Sequence, residues 1–299
     1  MSLLNLFTKK RIFFVYYPPY RFYGTTVMRG QQLSEIAKAS LPKKYRVKFT
    51  KTDRNYKNSI LYLTKWAVYN LKSDRLAELK QKNNVLIFDL VDGKIPASAR
   101  KYADVVVATS QAAYKLYLLE LPSSKRVMLV DHHADPRIKD LNWSKSRRSL
   151  KIGYFGELVN TIISPTIKKE VDFIEVSITR QDVSWFKKLP RYNMHYAIRQ
   201  TQETYPNKPF LKGFTAAHCD ANIIIQESQQ EAVRWLGKDY PYLLKGRPTE
   251  KKILDMIEYA KKSFGSKEWY RGLETMKDMK EKTSVAAIGR QLVELFDQL

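Results

Sequence analysis

Apolar residues in this chain fall in short runs that recur roughly every 20 residues, with amphipathic stretches between them. The runs 12–17 (IFFVYY), 60–63 (ILYL), 85–90 (VLIFDL), 104–108 (DVVVA) and 126–130 (RVMLV) are continuous and of strand length. Uninterrupted apolar strands are expected where both faces of a parallel sheet are covered. The run 45–50 (YRVKFT) alternates and reads as a further strand. Between them, 29–39 (RGQQLSEIAKA) puts Leu33, Ile36 and Ala37 on one helical face. Helices are also predicted over 72–82, near 96–102, and from a Ser110 cap through Leu119. A polar, basic linker at 142–149 (NWSKSRRS) interrupts the pattern, which then restarts. Strands are predicted at 150–155 and 171–176, with short elements at 192–197 and 222–225. The stretch 239–244 reads as strand or loop, and a helix starts at Glu227. Helices over 250–263 and 268–299 close the chain, the second broken near Thr283 and Ser284.

Strand–helix alternation of this kind predicts α/β architecture with doubly wound parallel sheets. The restart predicts two such Rossmann-like domains, over 1–145 and 146–270, followed by a helical tail over 271–299. In such sheets ligands bind beyond the carboxyl ends of the strands. Gly24, Lys65, Asp89, Asp92, His132 and His133 all fall at those ends in the first domain. The Gly24 loop is not a GxGxxG fingerprint, so its glycine speaks only for close backbone approach of a ligand.

Charge adds a partner to this picture. The net charge is +23, and residues 1–149 carry 29 basic against 11 acidic side chains while 150–299 carry 24 against 19. A cationic half joined to a nearly balanced one points to a polyanion, either nucleic acid or an anionic membrane leaflet; a solubility device is the bland alternative. Aromatics among these basic residues (Tyr16, Tyr17, Tyr20, Phe22 and Tyr23) suit bases, sugar rings or a membrane interface, or simply the core. The single cysteine, Cys219, excludes a disulfide framework and fits a reducing, cytoplasmic setting. No window reaches the length of a membrane-spanning helix, and the short apolar opening 1–7 reads as an amphipathic anchor or a frayed terminus.

The candidate chemistry concentrates in 192–226. Arg199, Lys208 and Lys212 precede Gly213 and a small-residue helix containing Thr215, which leads into an apolar strand. A helix start offers unpaired N–H groups and the positive end of the macrodipole, so cations placed before it suit a diphosphate. Gly156 ends a strand, followed by Glu157, and reads as either a close approach to that ligand or an ordinary turn glycine. Asp89 and Asp92 are candidates for taking a proton from an acceptor hydroxyl or binding sugar hydroxyls, or structural caps. His132 and His133 are candidates for contacting a sugar or acting on an acceptor; with only Asp131 and Asp135 nearby, a zinc site is not expected. His218 and Cys219 read as packing residues, and His195 as a packing residue or a ligand contact.

Taken in order, several segments resemble the GT-B class of glycosyltransferases, in particular the retaining family that includes sucrose synthase-like and mannosyltransferase-like enzymes. IFFVYYPPYRFYGTTVMRGQQLSEIA, YADVVVATSQAAYKLY, RVMLVDHHADPRI, KIGYFGELVN and KPFLKGFTAAHCDANIII carry the resemblance, with WYRGLETMKDMKEKTSVAAIGRQLVELF as the tail. It implies two domains facing a cleft, the first for an acceptor and the second for a nucleotide-sugar donor, with the tail crossing back to the first. It also implies transfer without a metal or other cofactor, retention of configuration, and a role in cell-surface polysaccharide or glycan synthesis. The acceptor would be a glycan or a lipid-linked one, and the protein cytoplasmic or peripheral on the inner face of a membrane. One departure stands out: Asn207 and Thr215 occupy the positions of two glutamates that many members use for the sugar and ribose. A two-domain nucleotide-sugar epimerase and a non-catalytic nucleic-acid-binding protein are the competing readings.

Overall fold

The structure is a computed structural model that describes residues 9–141, 149–177, 184–200 and 207–299. The opening 1–7 and nearly all of the basic linker lie outside the described residues. Two compact units result. The first takes residues up to His132 together with Asn207–Pro209 and Val285–Leu299, and the second takes the rest of the stretch from His133 to Ser284.

The first unit is built on β1 (Lys10–Tyr16), β2 (Tyr45–Lys51), β3 (Ile60–Leu63), β4 (Val85–Asp89), β5 (Val105–Ala108) and β6 (Arg126–Leu129). They form one sheet in the order β2-β1-β3-β4-β5-β6, every neighbour parallel. Alternate residues feed opposite faces. Ile12, Phe14 and Tyr62 pack with Leu33, Ile36, Leu292 and Phe296 on one side. Val15, Leu61, Leu63 and Phe88 pack with Leu76 and Tyr117 on the other. Helices on both faces are why these strands read as unbroken apolar runs.

The first helix begins at Gly24–Thr26, widens into a π turn over Val27–Gln32 and continues as Leu33–Ser40. From the π turn, the wholly buried Arg29 side chain reaches the strand ends. Its Nε donates to Asp89 Oδ2 at 2.7 Å, its Nη1 to Asp131 O at 2.9 Å, and its Nη2 to Tyr62 Oη at 3.0 Å and Val130 O at 3.1 Å. Tyr62 Oη donates to the same Asp89 oxygen at 2.5 Å, and Asp89 Oδ1 accepts from Val91 N–H at 3.0 Å. Burial disfavours the Arg29 charge, but Asp89 and Tyr62 outweigh it and hold the pKa above its ordinary value. Asp89, read from the sequence as a possible ligand group, is thus a structural counter-ion.

The second unit has β7 (Ile152–Gly156), β8 (Asp172–Glu175), β9 (Met194–Tyr196), β10 (Asn222–Gln226) and β11 (Leu243–Leu244) in the order β11-β10-β9-β7-β8, again parallel throughout. Its core gathers Tyr154, Tyr196, Phe214, Ile224, Tyr242, Ile257 and Met276. Ala134 and Ile138 are buried in that same core, so the expected boundary at 145 moves back to His132 and His133. The expected tail over 271–299 also divides. The helix Lys267–Lys282 packs on the helix Leu211–His218 inside the second unit. Only the helix Val285–Asp297 lies on Leu33–Ser40 in the first, where Tyr45 Oη donates to Phe296 O at 3.0 Å. The break falls at Thr283 and Ser284, as read from the sequence.

Two predictions follow the packing. Arg29→Met strands a buried carboxylate and is expected to cost about 3–5 kcal/mol in urea unfolding, with Arg29→Met/Asp89→Leu costing less than Arg29→Met alone. His218 Nε2 lies 3.2 Å from Thr283 Oγ1, and burial, aided by Lys280, depresses its pKa from 6.5 to about 4. The unfolded chain therefore binds this proton first, and stability present above about pH 6.5 is lost as the pH falls toward 4. Thermal melts should show His218→Gln flattening that loss, by about 2 kcal/mol at pH 5.

Candidate functional site

In the second unit the sequence order β11-β10-β9-β7-β8 brings the carboxyl ends of β10, β9 and β7 side by side. Four expected site residues meet there. Gly156 is the last residue of β7 and Glu157 follows it. Arg199 follows β9, and its backbone N–H donates to Oε1 of Gln226, the last residue of β10, at 2.7 Å. The carbonyl just before it, Ile198 O, accepts from Thr161 Oγ1 at 2.7 Å, so the Arg199 backbone is held from both sides. Lys212, in the first turn of the helix Leu211–His218, places its Nζ 3.7 Å from the centre of the Tyr154 ring. An ammonium over a ring face at that distance is a cation–π contact.

Tyr154 organises this corner. It is buried on β7, and its hydroxyl donates to Glu157 O at 2.6 Å. Burial pushes its pKa up to about 12, with Glu157 adding to the rise and Arg199 opposing it. Those two effects place both charges in electrostatic reach of one hydroxyl. A side chain at Gly156 would enter this arrangement directly: its Cβ would lie 2.8 Å from Lys212 Nζ and 2.8 Å from Tyr154 Oη, at a φ of +158° that few other residues adopt. The space beside Gly156 is thus taken by Lys212 and Tyr154. The helix that carries Lys212 starts without a side-chain cap: Phe210 at its N-cap makes no such hydrogen bond. Two cations and an uncapped helix start at the carboxyl edge of a parallel sheet can hold a dianionic group and stabilise charge that develops on it.

The other expected residues are distributed differently. Gly213 serves packing, because a Cβ there would lie 2.1 Å from the Phe210 ring. Thr215 is half-buried one turn after Lys212 on the same helix. Lys208 groups with the first unit, alongside Asn207, whose carbonyl accepts from Ser110 Oγ at 2.9 Å. In the first unit Asp92 is paired with Lys65 Nζ at 2.6 Å, each about a fifth exposed. Gly24 opens the first helix with nothing within 4 Å of where its Cβ would stand. Nearby, Tyr20 and Trp66 stack at 4.4 Å. His132 and His133 are both buried, as is His195, whose ring lies 5.2 Å from Phe155. Among the described residues no group of three or more His, Cys, Asp or Glu side chains is arranged to hold a metal ion. Sequence reasoning missed Tyr154 and Gln226. The first was within reach of it, since residues 154 and 156 share a face of a strand.

The two glycines make a paired prediction. Gly156→Ala should destabilise the protein by about 1–3 kcal/mol, since Tyr154 and Lys212 must both move. Gly24→Ala should be neutral or stabilising by up to about 1 kcal/mol. Thermal denaturation of the two variants checks the contrast, which fails if they behave alike.

No protein-family model matches the chain, and no curated protein matches it in sequence. Solved structures do. HepE of Anabaena, in complex with UDP and glucose, aligns with a TM-score of 0.67 at 9% identity over 97% of this chain and all of that one. A glycosyltransferase from Rickettsia africae ESF-5 aligns with a TM-score of 0.63 at 12% identity, over 98% and 99%. An α,α-trehalose-phosphate synthase (UDP-forming) from Burkholderia vietnamiensis aligns with a TM-score of 0.55 at 8% identity, over 83% and 76%. With two parallel-sheet α/β units and these neighbours, the chain has the GT-B glycosyltransferase fold.

Proposed function

We propose that this protein is a glycosyltransferase that moves a sugar from a nucleotide-diphosphate donor to a glycan or lipid-linked acceptor. The observation that carries the reading is the corner at the end of β7, where Lys212, Tyr154 and Gly156 meet and Arg199 acts on the same hydroxyl. Lys212 and Arg199 take the donor diphosphate, together with the start of the helix Leu211–His218. As the glycosidic bond breaks, negative charge builds on the departing diphosphate, and fixed cations stabilise it without a metal. Neighbours solved with UDP, or described as UDP-forming, make a uridine diphosphate sugar the first donor to test.

The first unit receives the acceptor. Asp92, held by Lys65, is the candidate for drawing the proton from the attacking hydroxyl, with the buried His132 and His133 as further candidates for contacting a sugar or acting on the acceptor. Gly24 leaves open space at its helix start for such a ligand. With Thr215 and Asn207 where related enzymes have glutamates, sugar and ribose are held by other groups, and the clamp rests on the cations. Retention of configuration, a role in cell-surface polysaccharide synthesis and attachment to a membrane's inner face complete the proposal.

A thermal-shift series with UDP, GDP, ADP and their sugars tests it. One nucleoside diphosphate is expected to stabilise the protein, and Lys212→Gln is expected to weaken that binding about tenfold or more and to lower the rate of transfer. The reading is overturned if no nucleotide stabilises the protein or if Lys212→Gln binds and transfers unchanged. Formation of an epimeric sugar from the donor with no acceptor present, as distinct from simple hydrolysis, would replace transfer by epimerisation.

A further inference from the structure

In the first unit all six strands run parallel, so all six begin at one edge of the sheet, opposite the edge that bears Asp92 and Gly24. A cation stands at each start. Lys10 opens β1, and Lys43, Lys57, Lys82, Lys101 and Lys125 lie one to four residues before β2 to β6. Hydrogen bonds to main-chain carbonyls draw these starts together. Lys10 N–H donates to Lys44 O at 2.9 Å, Arg11 Nη2 to Lys57 O at 2.5 Å, Asn58 N–H to Lys82 O at 3.0 Å, and Lys125 Nζ to Ala103 O at 2.9 Å.

The acidic groups at this edge are already engaged. Asp297 pairs with Lys44 at 3.2 Å, Asp104 with Lys80 at 2.6 Å, Glu78 with Lys82, and Glu120 with Arg100 at 3.9 Å. Among the described residues Lys10, Lys43, Lys57 and Lys101 enter no ion pair, and all four are exposed. Like charges gathered in excess of their counter-ions cost free energy that a polyanionic surface would recover.

A second feature selects the polyanion. The helix Gln111–Glu120 ends at the same edge, where Glu120 meets Arg100 and the chain turns into β6. There Leu118 is 51% and Leu119 85% exposed. Aliphatic side chains beside lysines suit a bilayer, where they enter the acyl boundary while cations meet anionic headgroups. A nucleic acid would instead be met by exposed aromatics that stack on bases.

We propose that the strand-start edge of the first unit docks on an anionic lipid bilayer, with Leu118 and Leu119 inserting beside the lysines. This rests on the membrane attachment stated under the proposed function and gives it a face. It also separates two roles. Strands of four to seven residues at about 3.3 Å per residue place the docking edge roughly 13–23 Å from the ligand-binding edge. The docking lipid is therefore an anchor and not the acceptor.

Sedimentation of the full chain with vesicles tests this, comparing pure phosphatidylcholine with vesicles containing phosphatidylglycerol, at low and high salt and with no nucleotide present. Wild-type protein is expected to bind only the anionic vesicles and to be released by salt. Each cation near such a surface counts for about fivefold in affinity, so Lys10→Gln/Lys43→Gln/Lys57→Gln/Lys101→Gln should bind at least about thirtyfold more weakly. Leu118→Ser/Leu119→Ser should lose several-fold while keeping the salt dependence. Both variants should melt and respond to nucleoside diphosphates as wild type does, which separates failure of docking from failure of the transferase reading. Equal binding to both vesicle types, unchanged binding by the four-lysine variant, or tighter binding to single-stranded RNA that ignores the leucine changes would each overturn the proposal.

Discussion

Every strand pairing in both sheets is parallel, and this single constraint arranges most of what the protein presents to solvent. A parallel strand must be re-entered from the edge where its neighbour began, so each strand is followed by a crossover that covers a face. All carboxyl ends collect at one edge and all starts at the other. In the second unit that rule gathers Gly156, Arg199 and Gln226, which lie up to 70 residues apart, at adjacent strand ends. In the first it sorts the chemistry: polar groups with buried partners at the strand ends, lysines at the strand starts, four of which enter no ion pair among the described residues.

The strand-end edge of the first unit is also where the fold spends a buried charge. Arg29 links the first helix to the ends of β3, β4 and β6 through Tyr62, Asp89, Val130 and Asp131. A buried guanidinium is tolerable only when its donors are satisfied and its charge is paired, and here both conditions hold. The π turn over Val27–Gln32 sends that side chain inward, at the cost of regular helical hydrogen bonding. One consequence is a division of labour between two aspartates three residues apart: Asp89 is spent on the fold, and Asp92 stands partly exposed with Lys65.

The second unit uses the opposite device. Its two cations are half-buried and are positioned by an aromatic ring and by main-chain contacts. Lys212 rests on the Tyr154 ring, and Arg199 is fixed through its backbone by Gln226 and the Thr161 contact to Ile198. A main chain fixed in this way holds the residue in place, which is what an anion site needs if it is to avoid reorganisation when charge develops.

Much of this was legible in the sequence. Unbroken apolar runs spaced by amphipathic stretches determine strands covered on both faces, and every predicted strand is present within a few residues. The helix break at Thr283 and Ser284 was equally plain, as was the cationic, glycine-bearing character of 192–226. What tertiary structure alone decided is which of these residues meet. Nothing in local pattern distinguishes Asp89 from Asp92, or marks Lys212 for the Tyr154 ring, because Arg29 and Tyr154, which they meet, are distant in the chain and on other elements. The short helix Lys65–Asn70 and the boundary at His132 escaped for the same reason: one is too brief to show a period, and the other depends on where Ala134 and Ile138 are buried. Periodicity records which way a side chain faces, and strand order, which sets its neighbours, is written only in the packed sheet.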